Sequence, residues 1–466
     1  MVGERTICAP ATRGTGAIAV IRVSGPDTYA IVEKLFRPAT PGKILSEQPA
    51  NTIHLGTIHD GETLIDEVLV SLFRAPHSYT GEDAIEISCH GSPYIQQRIL
   101  ELLVSQGAHP ARAGEFTQRA FLNGKMDLAQ AEAVADLVAA ESEGAHRVAM
   151  QQLRGGYSDR LKSLRDKLLH FISMIELELD FSEEEVEFAD REELSGLVDE
   201  IASLIGELVS SFRLGNVLKK GVPVAIIGRP NVGKSTLLNA MLMEERAIVS
   251  EIEGTTRDSI EDTVNLEGIT FRFIDTAGIR ETADTIENLG IRRTYQKIEQ
   301  SSIVLLLVEA GDGADMVNRS LKAIREQIRG TGKQLVLVLN KSDRVPEKKI
   351  TDLQELIPLH ENESLISLSA EKREHIDNLA SLLLELVNAG SLKHQDVVIS
   401  NIRHYNALTA VAESLERVSE SLTSDLPSDL LAQDIREALH YLGEITGEVT
   451  TDEILGNIFR NFCIGK

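Results

Sequence analysis

Gly228-Arg229-Pro230-Asn231-Val232-Gly233-Lys234-Ser235 fits the phosphate-cradling pattern GxxxxGK[ST]. A short apolar run, Val222-Pro223-Val224-Ala225-Ile226-Ile227, precedes it and reads as a buried strand. Ser235-Thr236-Leu237-Leu238-Asn239-Ala240 follows and reads as the start of a helix. Strand, glycine loop and helix is the context the pattern needs. The glycines let backbone amides wrap an anion, and the helix N-terminus adds partial positive charge. Lys234 is expected to reach the β- and γ-phosphates, and the Ser235 hydroxyl to ligate magnesium. Alone, the stretch is equally a glycine turn before a helix. Its company decides the reading.

Asp275-Thr276-Ala277-Gly278 follows the alternating strand-like run Ile269-Thr270-Phe271-Arg272-Phe273-Ile274. Asp275 is placed to hold magnesium through water, and the Gly278 amide to sense the γ-phosphate. Asn340-Lys341-Ser342-Asp343 follows Leu335-Val336-Leu337-Val338-Leu339. The Asp343 carboxylate can accept two hydrogen bonds from guanine N1–H and the 2-amino group. Adenine does not offer that pair, and the unpaired carboxylate then penalises binding. Ser369-Ala370, after Leu365-Ile366-Ser367-Leu368, can present an amide to the guanine oxygen. Four motifs in this order, each at a strand end, predict a GTP site comprising Asn231, Val232, Gly233, Lys234, Ser235, Thr236, Asp275, Thr276, Ala277, Gly278, Asn340, Lys341, Asp343, Ser369 and Ala370.

The 466 residues predict two to four domains with ample core. Charged residues make up 26% and hydrophobic residues 42%, an ordinary balance for a globular protein. A net charge of −25 argues against a broad basic face for nucleic acid, so a partner is expected to supply much of any phosphate contact. No apolar run approaches a membrane span, and no signal-like block opens the chain. The three cysteines, Cys8, Cys89 and Cys463, have no metal-ligand spacing, which points to a reducing cytoplasm and no structural zinc.

Residues 1–120 mix strands with one clear helix opened by Pro93 and read as an α+β domain. Residues 121–216 become helical: Leu161, Leu164, Leu168, Phe171, Ile175 and Leu179 recur at helical steps, and Glu183-Glu184-Glu185 marks a solvated break. Residues 217–388 hold the nucleotide motifs on an α/β domain with a mostly parallel sheet. In 389–466 helical periodicity returns through Leu408, Val411, Leu415, Val418 and Leu422, then Leu431, Ile435, Leu439 and Leu442. Thr450 with Glu453 reads as a capping box for a last helix bearing Ile454, Ile458 and Phe462 on one face. Neither helical stretch has a complete core, so one discontinuous helical domain with the nucleotide domain inserted is the economical solution.

Ile279 stands where many GTPases place a water-orienting glutamine, and it can neither donate nor accept. Either hydrolysis is a slow timer or another group takes that role. The Asn231 side chain can hold a monovalent cation beside the phosphates, where an arginine finger would contribute on the order of 10³–10⁵ in rate. Asn231 can equally serve only to shape the turn. Ser250-Glu251-Ile252-Glu253-Gly254-Thr255-Thr256-Arg257-Asp258 has the composition of a switch loop, and equally of a surface loop.

Gly254-Thr255-Thr256-Arg257-Asp258, Asn231 and the terminal Cys463-Ile464-Gly465-Lys466 closely resemble the bacterial tRNA-modification GTPases of the MnmE or TrmE family. Ile21-Arg22-Val23-Ser24-Gly25, Tyr79-Thr80-Gly81-Glu82-Asp83 and Ala120-Phe121-Leu122-Asn123-Gly124-Lys125 are similar to the same family, so the resemblance runs over essentially the whole chain. It implies an N-terminal folate-binding and dimerising domain, a discontinuous helical domain and an inserted Ras-like G domain. It implies addition of an aminomethyl-type group, such as carboxymethylaminomethyl, to carbon 5 of the wobble uridine in certain tRNAs. A flavin-dependent partner carrying FAD, related to MnmG or GidA, would act with it, and a tetrahydrofolate derivative would supply one carbon. The resemblance further implies potassium held by Asn231, Ser250, Ile252 and Thr255, and magnesium held by Ser235 and Thr256. Ser250 stands where family members often have threonine. Glu287 would position the attacking water, a role its own sequence context does not suggest. Arg22, Glu82, Lys125 and Lys466 would contact folate. Cys463 would serve the tRNA chemistry as nucleophile or positioning group, Lys466 lowering its pKa; composition alone makes it a buried helix-end cysteine beside Phe462. Competing readings are a ribosome-assembly switch of the Era type and a folate-dependent transferase regulated by GTP. An Era-type switch calls for a basic RNA-binding module after the G domain, and the acidic helical tail is not one.

Overall fold

Along Thr63–Phe73, Val68, Val70 and Leu72 are buried while Leu69 between them is exposed, the period-two pattern of a strand with one covered face. In the computed structural model of the chain this strand is β5 of a seven-stranded sheet. Its companions are β1 (Ile7–Pro10), β2 (Ile18–Ser24), β3 (Phe36–Pro38), β4 (Thr52–Asp60), β6 (Ala84–His90) and β7 (His109–Pro110). The order is β3-β4-β5-β6-β2-β1-β7, antiparallel except for the β1–β7 pair. The structure describes residues 5–12, 16–180, 190–244, 262–274, 297–387, 398–423, 428–460, 462 and 465.

Helices α1 (Thr28–Leu35) and α2 (Pro93–Ser105) close the covered face; Val32, Leu35, Ile99 and Leu103 pack with Ile21, Ile58, Val70 and Ile87. Pro93 opens α2, where its missing N–H costs no helical bond. The expectation of one clear helix before residue 120 is corrected, because α1 and α3 (Glu115–Leu122) are also present. Each has only eight residues, about two turns, too few to establish a 3.6-residue period.

The chain divides into two compact units. One comprises Met1–Ala139, Ala149–Val209 and Ile402–Lys466, the other Ala140–Val148 and Ser210–Asn401. In the first, α4 (Leu128–Ala139), the C-terminal part of α5 (Glu143–Leu153), α6 (Ser158–Asp180) and the first part of α7 (Arg191–Lys220) follow the sheet. The stripe foreseen on α6 is buried at Leu161, Leu164, Leu168, Phe171 and Ile175. The triplet Glu183-Glu184-Glu185 lies outside the described residues.

The second unit is a six-stranded sheet in the order β13-β12-β11-β8-β10-β9. Its strands are β8 (Val222–Gly228), β9 (Asp262–Leu266), β10 (Ile269–Phe273), β11 (Ile303–Glu309), β12 (Gln334–Asn340) and β13 (Glu363–Ser367). All pairs are parallel except β9–β10. Parallel strands need both faces covered, which is why β11 and β12 read as unbroken apolar runs. Helices α8 (Lys234–Glu244) and α11 (Ile376–Leu386) join the core on one side; α9 (Ala314–Ile328) and α10 (Glu347–Glu355) join it on the other.

Returning to the first unit, α12 (Ile402–Thr423), α13 (Ser428–Thr446) and α14 (Asp452–Phe459) complete the helical layer. Leu408, Val411, Leu415 and Val418 of α12, and Leu431, Ile435, Leu439 and Leu442 of α13, are buried. The cap of α14 corrects the sequence reading. Thr451, not Thr450, is the N-cap, its side-chain oxygen accepting the Ile454 amide at 3.3 Å. The buried face is accordingly Leu455, Phe459 and Phe462, packed on Leu128 and Ala131, while Ile454 and Ile458 are half-buried.

Candidate functional site

In the second unit the glycine loop joins the C-terminal end of β8 to the N-terminus of α8. Strand order reverses around β8, which lies between β10 and β11, the crevice where open α/β sheets hold ligands. Gly233 sits at φ +97°, and a Cβ there would fall 2.3 Å from Asn340 Nδ2. Only glycine satisfies both the dihedral and the space. Asn231 adopts φ +64°, a left-handed turn that asparagine tolerates better than most residues. The Lys234 ammonium folds over the loop, donating to Gly228 O at 2.8 Å and Arg229 O at 2.9 Å. Burial, aided by Lys297, lowers its pKa, so an anion at this position relieves an unfavourable charge.

The base motif is tied to that loop. Asn340 donates from Nδ2 to Val232 O at 2.7 Å and accepts the Ala370 amide on Oδ1 at 3.0 Å. Lys341, at φ +62°, donates to Asn231 O at 2.8 Å and pairs with Glu309. Ser369 Oγ donates to Asp343 Oδ1 at 2.7 Å, with Lys372 beside the other oxygen. The Ser369 bond, then Lys372, hold the Asp343 carboxyl below its usual range, so it stays an ionised acceptor. Thus Asn231, Val232, Gly233, Lys234, Asn340, Lys341, Asp343, Ser369 and Ala370 meet at the C-terminal ends of β8, β12 and β13. Ser235 and Thr236 lie in the first turn of α8. The Ala370 amide, expected at the guanine oxygen, is here donated to Asn340. Asp275, Thr276, Ala277, Gly278, Ser250, Ile252, Thr255, Thr256 and Glu287 lie outside the described residues.

A second polar cluster lies in the first unit. Arg22 on β2 pairs with Glu86 at 2.8 Å, and its guanidinium lies 5.0 Å from the Tyr79 ring centre and 5.6 Å from that of Phe116. It also donates to Gly465 O at 3.4 Å. Gly465, at φ +95°, is so close to β1 that a Cβ would meet Pro10 O at 1.9 Å. Glu82 accepts Ser24 Oγ at 2.8 Å, and that hydroxyl also meets Thr80 Oγ1 at 2.7 Å. Lys125 is exposed and donates to Pro76 O at 3.0 Å, at the start of the same loop. Arg22, Glu82 and Lys125 therefore gather around residues 76–82; Cys463 and Lys466 lie outside the described residues. Burial pushes the Cys8 and Cys89 thiols up to about 11, which makes both poor nucleophiles.

Sequence reasoning missed Arg119 and Glu115. Arg119 Nη1 donates to both Glu82 oxygens at 3.1 and 3.2 Å, and Nη2 to Glu115 at 3.1 Å. Their i,i+4 spacing on α3 was the available signal, but such pairs usually mark a solvated helix face.

A mostly parallel sheet with a phosphate loop at its switch point and an asparagine–aspartate base motif defines a P-loop GTPase. The family models for the MnmE helical domain and for the N-terminus of the GTP-binding protein TrmE match residues 128–463 and 6–125. The tRNA modification GTPase MnmE of Bacteroides thetaiotaomicron is 54% identical over 469 residues, covering 100% of both chains. That of Christiangramia forsetii is 54% identical over 472 residues, covering 99% of each. Among solved structures, Era in complex with MgGDPNP and nucleotides of 16S ribosomal RNA is 27% identical, covering 41% of this chain and 65% of that one, with a TM-score of 0.28. The chain belongs to the MnmE family of tRNA modification GTPases.

Proposed function

We propose that GTP hydrolysis at residues 228–235 drives modification of carbon 5 of the wobble uridine in certain tRNAs, installing an aminomethyl or carboxymethylaminomethyl group. The observation that carries this reading is the end-to-end likeness to the Bacteroides relative, 54% identical with both chains fully covered. A flavin-dependent partner protein, bearing FAD, and tRNA complete the reaction in the cytoplasm. Among the described residues no single helix is long and apolar enough to cross a membrane. The functional division is 1–120 for the folate domain, 121–216 and 389–466 for the helical domain, and 217–388 for the G domain.

The described residues fit the substrate. The absence of a Cβ at Gly233 lets the loop close on Asn340 of the base motif, and Lys234 is placed to exchange two backbone carbonyls for phosphate oxygens. Asp343, oriented by Ser369, reads guanine. Ser235 with Thr256 would hold magnesium, and Asn231, Ser250, Ile252 and Thr255 potassium. Such cations supply positive charge beside the phosphates, where charge redistributes during phosphoryl transfer. Glu287 would orient the attacking water.

Arg22, Glu82, Lys125 and Lys466 would hold a tetrahydrofolate derivative. Arg22 lies over two aromatic rings, a flat cationic surface suited to an anionic, planar ligand, and Lys125 is exposed for a carboxylate tail. When bound, the folate supplies a one-carbon unit; Cys463 assists the tRNA chemistry. A homodimer is supported by Ile53, Leu55 and Leu69, which are 65%, 48% and 45% exposed on the open face of the same sheet. Mass spectrometry of tRNA nucleosides from a deletion strain tests the function. The modified wobble uridine should disappear and return with the wild-type chain; its persistence in the deletion strain would refute the proposal.

A further inference from the structure

We propose that Arg119 is a positioning residue for the folate site, acting through Glu82. This rests on the reading of Glu82 as a ligand contact. Arg119 has 2% of its side chain exposed, so it does not reach a ligand itself. Its guanidinium lies between two carboxylates, Glu82 and Glu115, at 3.1 Å from each. Glu115 is held in turn by the Arg112 amide at 2.9 Å. Burial works to raise the Glu115 pKa, but the Arg112 amide and Arg119 outweigh it and the carboxyl sits below its usual range. An ionised Glu115 on a short helix is thus the anchor for the guanidinium.

The geometry at Glu82 is specific. Arg119 Nη1 is nearly equidistant from Oε1 and Oε2, at 3.2 and 3.1 Å, so it faces the carboxylate end-on. Ser24 Oγ takes a further position on Oε2 at 2.8 Å. Oε1 has no other hydrogen bond among the described residues, and Glu82 keeps 14% of its side chain exposed. The arrangement fixes the Glu82 carboxylate so that it offers chiefly Oε1 to an incoming N–H donor, such as those on a pterin ring. Without Arg119 the carboxylate loses both its countercharge and its orientation. Side chains that orient a binding group typically contribute on the order of 10–100-fold to affinity, as measured for metal sites. A fixed guanidinium fork does this in a way that a flexible ammonium does not.

The test is titration of tetrahydrofolate into the full chain, under reducing conditions, by calorimetry. The set comprises the wild type, Arg119→Gln, Arg119→Lys, Glu82→Gln and the double variants at both positions. Wild type should bind, Glu82→Gln should weaken binding, and Arg119→Gln should weaken it roughly tenfold or more. Arg119→Lys should lose less. In the Glu82→Gln background neither change at 119 should cost anything further, because a residue acting only through Glu82 has no effect once Glu82 is gone. A merely structural role would instead leave the two losses additive. Thermal unfolding monitors the fold; if Arg119→Gln unfolds, the charge-conserving lysine variant carries the same cycle. Affinity unchanged by either Arg119 substitution, or additive losses, overturns the positioning role while the folate reading stands. A wild type that does not bind, or Glu82→Gln that binds as well as wild type, overturns both.

Discussion

Asp343 decides which base is read, and its surroundings are built for one task. Ser369 and Lys372 hold it ionised at the end of the strand that also supplies Asn340. Asp343→Asn replaces an acceptor by a mismatched amide, so GTP affinity should fall on the order of a hundredfold. Xanthosine triphosphate, with an oxygen at position 2, should then bind the variant better than GTP; unchanged GTP binding by titration would place the base elsewhere. At Asn231, left-handed backbone and potential cation ligand coincide, so Asn231→Ala would mix strain with lost coordination. Asn231→Gly removes the side chain without the strain. Wild-type GTP turnover should be several-fold higher in potassium than in sodium, and both variants should lose that difference. Equal wild-type rates in the two salts would end the potassium proposal. The nucleotide residues were legible because a phosphate loop is contiguous, each residue having a fixed job in one turn. Arg119 was not, because its partner Glu82 lies 37 positions away and only the fold makes that pair.

Among the helices, caps and buried charge pairs set the local balance. Thr451→Ala should destabilise the C-terminal helix by about 1 kcal/mol and Thr450→Ala by much less, measured by thermal unfolding, because only Thr451 satisfies the Ile454 amide. The sequence pattern pointed to Thr450 because Glu453 stands three residues after it, the spacing of a capping box; the extended backbone at Thr451 and its bond to the Ile454 amide settle which one caps. More is at stake where α4 meets α12. Glu132 accepts from Arg403 at 3.1 and 2.8 Å and meets His404 Nε2 at 2.6 Å; His404 Nδ1 meets the buried Tyr157 hydroxyl. Burial works to raise the Glu132 pKa, yet His404 and Arg403 together pull it down to about 2 from 4.5. A depressed carboxylate contributes stability that is present in full above its unfolded pKa. That contribution should fade as pH falls from about 4.5 through about 2. Glu132→Gln leaves Arg403 and His404 without their anion and should cost about 3–5 kcal/mol in denaturant unfolding at neutral pH. The variant should also lose the acid-dependent part of the wild-type curve. An unaltered pH profile would show that the pair adds no net stability.

At the scale of the whole molecule, two ligand clusters occupy separate compact units of one chain, so chemistry at one can be perturbed while the other is read out. In the sequence Cys463 directly follows Phe462, whose ring packs on α4, and stands two positions before Gly465, whose carbonyl accepts from Arg22. If its thiol serves the tRNA chemistry, Cys463→Ser should hydrolyse GTP at close to the wild-type rate yet leave the wobble uridine unmodified in cells. Serine keeps the size but is a far weaker nucleophile. Full modification by this variant, measured on tRNA nucleosides, would exclude an essential thiol. By itself, the sequence determined the nucleotide chemistry, the parallel core strands and the faces of α6, α12 and α13. Those properties depend on residues that are neighbours along the chain or on one helical turn, and periodicity records them. Only the tertiary structure decided that Glu132 pairs with His404 across 272 positions, and that Arg22 meets Gly465 across 443. Such contacts are set by the path the chain takes through its cores. A charged residue spelled out in sequence does not show whether it faces water or a partner that burial has placed opposite it.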